Sequence, residues 1–122
     1  MARSSPSHLP PERLAAYDRV IATVQGVERK GAKIPYTSLN GHMFSYLSES
    51  GSLVLRLPAA ERDAFLVRYG TTLHHAYGIV QKEYVDVPDA LLDDTDELAP
   101  WFAAGHAHVA GLRPKPTTRR KP

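Results

Sequence analysis

The chain has 122 residues, 43% apolar and 23% charged, the size and balance of one globular domain. It has no cysteine, which excludes a disulfide framework, a thiolate zinc site and thiol catalysis, and no apolar run approaches the ~18 residues of a membrane span. The net charge of +2 hides an asymmetry: the last ten residues hold five of the fifteen bases and no acid, so residues 1–112 carry ten bases against thirteen acids, or −3, and no basic face across the whole body is evident.

In chain order, residues 1–8 are polar with little to bury, lack the apolar stretch of a signal peptide, and point to a loose end on a cytoplasmic protein. Pro10-Pro11-Glu12 opens a helix, since proline is tolerated in a first turn and glutamate suits the positive end of the dipole. Leu14, Tyr17, Ile21 and Val24 follow at helical spacing up to a stop at Gly26. From Lys33 to Leu57 the pattern becomes that of short strands. Ile34–Leu39 is the first, its Pro35 marking a strand start or an edge. Asn40-Gly41 is a hairpin turn in which both residues accept positive φ, and His42–Leu47 is the second strand. The turn Ser48–Gly51 leads to a third, Leu53–Leu57, with Leu53, Leu55 and Leu57 on one face.

Pro58 ends this meander, and Ala59–Tyr69 reads as a short helix stopped by Gly70. A fourth strand is expected over Gly78–Val87, closed by Pro88. The stretch Asp86–Glu97 holds six acids and no base, the pattern of a solvated connection and a helix N-terminus. A last helix buries Trp101, Phe102, Gly105, Val109 and Leu112, beginning near Leu98 because Pro100 cannot lie deep inside it. Gly105 there costs about 1 kcal/mol against alanine, a loss that close approach to the sheet justifies. The order α-β-β-β-α-β-α predicts an α+β fold, a two-layer sandwich with a four-stranded antiparallel sheet and helices mainly on one face. The body spans residues 9–112, and residues 113–122 form a basic, Pro-rich tail.

Chemistry is sparse. His74-His75 diverge by adjacency, and His106-x-His108 stand about 200° apart on a helix, so neither pair is preorganised for a metal. No nucleophile elbow, phosphate loop or dinucleotide fingerprint is present. No catalytic residue, metal ligand or cofactor is predicted. Lys30, Lys33, Tyr36, Asn40, His42, Arg56 and Lys82 combine cationic, aromatic and amide groups on or beside the sheet. That mixture suits a small anionic ligand or a partner's acidic patch, with a pocket near Tyr36, His42 and Lys82. In His42–Leu47 one side carries Phe44 and Tyr46 and the other Met43 and Leu47. An apolar strip is thereby left for a protein partner or for self-association as a homodimer. In the tail, Arg113, Lys115, Arg119, Arg120 and Lys121 could lend a weak, salt-sensitive affinity for nucleic acid.

Several strings carry a resemblance: Gly41-His42-Met43-Phe44, the Leu53–Leu57 strand, the helix up to Gly70, and Glu83-Tyr84-Val85-Asp86-Val87-Pro88 leading to Leu91-Leu92-Asp93-Asp94 and Trp101. Over about residues 12–112 the chain resembles the TfoX N-terminal domain family. The resemblance implies a secretion-chaperone-like α+β sandwich and a non-enzymatic regulatory or interaction module, and it supplies no catalytic residue. Members include the amino-terminal half of bacterial competence regulators as well as free-standing small proteins. Where many members have Met-Phe-Gly-Gly before the hairpin, this chain has Ile34-Pro35-Tyr36-Thr37-Ser38-Leu39-Asn40-Gly41. With no second domain expected, the competence role is not carried over.

Overall fold

The paired prolines at 10 and 11 open the first helix as their missing N–H groups allow. In the computed structural model of the chain, which describes residues 10–31, 34–76 and 78–113, α1 (Pro11–Ile21) has Glu12 in its first turn and Arg19 in its last, as the dipole favours. Its buried residues are Ala16, Tyr17, Val20 and Ile21. The expected members Leu14 and Val24 lie at the border, partly buried against the core. Residues 1–8, Lys33 and the tail beyond Arg113 lie outside the described residues.

The meander forms as expected, with β1 (Tyr36–Leu39), β2 (His42–Leu47) and β3 (Leu53–Arg56). Asn40 and Gly41 take φ values of 58° and 80°, the doubly positive turn that matches strand twist. After α2 (Ala59–Tyr69) come β4 (Leu73–Ala76), β5 (Ile79–Asp86), the single turn α3 (Asp89–Leu92) and α4 (Thr95–Ala110). The sheet is antiparallel in the order β1-β2-β3-β5-β4. Five strands replace the expected four, and the order becomes α-β-β-β-α-β-β-α-α. The added strand, Leu-His-His-Ala, has no apolar alternation to announce it. Gly78, at φ 75°, belongs to the turn before β5 rather than to the strand.

The helices gather on one face, giving an α+β sandwich. Leu47, Leu53, Leu55, Leu57, Val85 and Val87 of the sheet segments meet Phe65, Leu92, Leu98, Phe102 and Val109 of the helices in one buried cluster. Gly105 is the contact point: a Cβ there would stand 2.6 Å from the Arg56 carbonyl oxygen and 3.2 Å from Leu55 Cδ1. Close approach does account for the glycine. The proline expectation fails, because α4 starts at Thr95 and holds Pro100 inside it. The Asp94 side chain caps the helix by accepting from Glu97 N at 3.2 Å, which fixes the early start. The N–H that proline lacks would have served the carbonyl of Asp96, and Asp96 is exposed to water.

Two features escaped the sequence pattern. Tyr17 Oη and Ser45 Oγ are joined at 2.7 Å, and Ser45 Oγ and Thr37 Oγ1 at 2.5 Å, a fully buried hydroxyl chain inside the apolar core. Burial pushes the Tyr17 phenol well above its ordinary range, the Ser45 and Thr37 contacts only partly opposing it. In addition β2 carries a bulge: Thr37 faces Ser45 and Ser38 faces Met43, leaving Phe44 unmatched. Phe44 and Ser45 therefore both turn toward the helices. Phe44 packs on Phe102 at 5.3 Å and His106 at 5.6 Å, while Ser45 meets Tyr17. Met43 and Tyr46 are sent to the opposite side, so the expected sharing of one face by Phe44 and Tyr46 is corrected.

Candidate functional site: the uncovered face of the sheet

In sheet order β4 lies three strands from β2, about 14 Å at the usual spacing. Yet the His74 ring centroid is 5.8 Å from that of Tyr46, edge to face at 78°. The pairing explains this. Leu73 faces Val85, but the next residue, His74, faces Gln81, so Lys82, Glu83 and Tyr84 intervene on β5. Two of these keep their places along β3, where Tyr84 faces Arg56 and the Glu83 carbonyl accepts from Leu57 N at 2.9 Å. Beyond them the β4–β5 hairpin doubles back over the face that the helices leave bare.

Polar contacts hold the fold-over. His74 Nδ1 donates to Asp86 Oδ1 at 2.7 Å, Asp86 N donates to the Thr72 carbonyl at 3.0 Å, and Thr71 Oγ1 donates to the Asp86 carbonyl at 2.7 Å. Binding through Nδ1 fixes the ring's orientation and leaves Nε2 on its opposite edge. His75, next in sequence, is exposed and borders the same hollows as His74, so the expected divergence does not part the two rings between separate sites.

Between hairpin and sheet lies a cavity of about 740 Å³. Ile34, Met43, Tyr46 and Tyr84 form its apolar walls, with Glu49 and Gln81 among the polar lining. Tyr84 Oη donates to the Met43 carbonyl at 2.9 Å, and its ring meets that of Tyr46 at 6.4 Å and 57°. Desolvation raises the Tyr84 phenol above its usual range, the Arg56 charge opposing it. A neighbouring hollow of about 450 Å³ includes Val54, His74, Asp86 and Asp89. There Asp89 accepts from Ser52 Oγ at 3.0 Å and pairs with Arg13 at 3.4 Å.

The residues singled out in the sequence fall into three places. Tyr36 faces Tyr46 and Arg56 faces Tyr84 across the ladders, so both belong to the uncovered face. Arg56 Nε binds Glu83 Oε1 at 2.7 Å, with His108 Nε2 3.5 Å from the same oxygen. The hydrogen bond from Arg56 holds the Glu83 carboxyl below the usual carboxylate range. Asn40 and His42 serve the end of α4 instead: Asn40 Nδ2 donates to the carbonyls of Val109 and Ala110 at 3.4 and 3.5 Å, and His42 Nε2 to that of Arg113 at 2.8 Å. Lys82 is exposed and shares a shallow hollow with Arg56, Ile79 and Val80. Lys30 Nζ donates to Ser38 Oγ at 2.9 Å. None of Tyr36, His42 and Lys82 lines the 740 Å³ cavity. Of the basic tail, Arg113 is described, while Lys115, Arg119, Arg120 and Lys121 lie outside the described residues.

Sequence reasoning missed His74, Asp86, Tyr46 and Tyr84 as a group because a bulge and a folded hairpin, neither periodic, bring them together. Among the described residues no three His, Asp or Glu side chains gather as a metal site, and no helix is long and apolar enough to cross a membrane. Among protein families, the TfoX N-terminal domain matches residues 37–109, from β1 to the last turn of α4. No curated protein and no solved structure matches.

Proposed function

We propose that this chain, which belongs to the TfoX N-terminal domain family, works as a non-enzymatic regulatory or interaction module that receives a protein partner on the side of its sheet opposite the helices. One observation carries the reading. Ile79 and Val80, at the start of β5, are 63% and 41% exposed on the hairpin that lies over the uncovered face. Fully burying an aliphatic side chain of this size is worth about 1.5–3 kcal/mol, and these two, on opposite faces of an anchored strand end, present apolar surface that docking would cover. Val67 on α2 is more exposed, at 85%, but it stands singly on a helix, as surface aliphatics commonly do.

A photoreactive aromatic residue placed at Ile79, and in a second protein at the exposed Ala107 of α4, tests the reading in living cells. A discrete cross-linked adduct is expected from position 79 and not from 107. An adduct at twice the chain's mass would identify the partner as a second copy. Absence of any adduct from 79, or equal labelling from 107, would retire the proposal.

A further inference from the structure

The cavity beneath the hairpin is separate from the hairpin's outer surface, and its walls state what could occupy it. Its volume of about 740 Å³ falls within the range of small-molecule sites. Its aromatic side is set in advance: Tyr84 is tied to the Met43 carbonyl, and Tyr46 is packed against both Tyr84 and His74. Two tilted phenol rings beside a thioether offer dispersion to an apolar body and a negative π-face to a cation.

Charge decides the sign of the ligand. Glu49 is the one formally charged residue among the described lining residues, and it is exposed at the β2–β3 turn. The carboxylates nearest this face are engaged, Asp86 by His74 and Asp89 by Arg13. Arg56, the cation nearest Tyr84 in the ladder, is held by Glu83. His74, whose Nδ1 is held by Asp86, and His75 also border the cavity, and a carboxylate or phosphate entering beside Glu49 would meet a like charge. An ammonium meets the opposite situation.

From this complementarity we infer that the cavity is a binding site for a small organic amine, its ammonium set against Glu49 and the faces of Tyr46 and Tyr84 and its aromatic or branched alkyl body on Met43 and Ile34. The site takes a ligand of opposite charge, in a different place, from the anion pocket suggested by Tyr36, His42 and Lys82. Ligand and protein partner would use different residues of the same hairpin.

Three probes of similar size test the inference on the full chain: 2-phenylethylammonium, the neutral 3-phenylpropanamide and the anionic 3-phenylpropionate, each followed by amide chemical shifts. The ammonium is expected to move the amides of Met43, Glu49 and Gln81 saturably at millimolar concentration, with affinity about threefold or more above the other two. Glu49→Gln is a surface change at a turn, so the variant keeps the fold. It is expected to remove the advantage of the ammonium over the neutral amide while leaving the amide's own binding unchanged. Equal or tighter binding of 3-phenylpropionate, no saturable shift at those amides, or an ammonium preference that survives Glu49→Gln would each overturn the inference. Cross-linking from Ile79 reads a position that does not line the cavity, so either idea can fail alone.

Discussion

Phe44 and Tyr46 stand two residues apart on one strand, yet they inhabit different surroundings. Phe44 is fully buried, with Phe102 and His106 of α4 against its ring. Tyr46 is half-buried, beside the partly covered rings of His74 and Tyr84. A regular strand would set positions 44 and 46 on the same face; the unmatched residue in β2 separates them. The helix side is therefore closed to close-packed tolerances, while the bare side retains space beneath a hairpin. Substitutions should cost stability on the first side and ligand or partner contact on the second.

The widest gap is expected between Phe44→Ala and Tyr46→Ala. The first should lose about 3–5 kcal/mol, from transfer plus cavity, and the second about 1 kcal/mol, both read from urea unfolding midpoints at unchanged slope. Equal losses would remove the bulge from β2. Next is Gly105→Ala. Although alanine gains about 1 kcal/mol of helix propensity, its Cβ would meet backbone, the Arg56 carbonyl, which cannot swing aside as a flexible side chain can. A net loss of about 1–3 kcal/mol is expected; a stabilised variant would show that α4 can slide away from the sheet.

The smallest effect belongs to the hydroxyl chain. Tyr17→Phe should cost about 1 kcal/mol at neutral pH, since Ser45 and Thr37 still satisfy each other. Its signature lies in alkali. Burial favours the neutral phenol, so the folded protein keeps a proton that the unfolded chain releases near pH 10. The stability from this group is complete below that pH and declines as pH rises toward the folded value, by up to about 1.4 kcal/mol per pH unit. Alkaline unfolding curves of Tyr17→Phe should lack this component; identical slopes in both proteins would place Tyr17 in contact with water.

Local chemistry made most of the helix side legible. Pro11 and Glu12 announced α1, Asn40-Gly41 the first hairpin, and the Leu53–Leu57 alternation the inward face of β3. Gly105, unfavourable in isolation, signalled the tight crossing that the Arg56 carbonyl occupies. Pro100 misled because a proline's cost depends on which carbonyl it deprives, and here that carbonyl lies in the exposed first turn of α4. The candidate site was hardly legible. Residue spacing cannot reveal an unmatched Phe44, nor three residues of β5 that the β4 pairing skips. Asn40 and His42 have the composition of ligand-binding residues, but their hydrogen bonds go to the last carbonyls of α4. By its sequence context Asp86 starts a solvated acidic connection, whereas in the fold it is the anchor for His74.

The doubled-back hairpin also bears on how the protein behaves when crowded with copies of itself. A sheet ends in two rows of backbone groups able to recruit a neighbour's strand, the first step toward fibrillar growth. Here β1 is four residues long and interrupted in register, and on its outer side the Tyr36 N–H and carbonyl are already taken by Lys30 at 2.9 and 2.8 Å. At the other margin β4 bends out of the plane in which lateral addition would continue. The margins of the sheet therefore resist conversion into cross-β ladders.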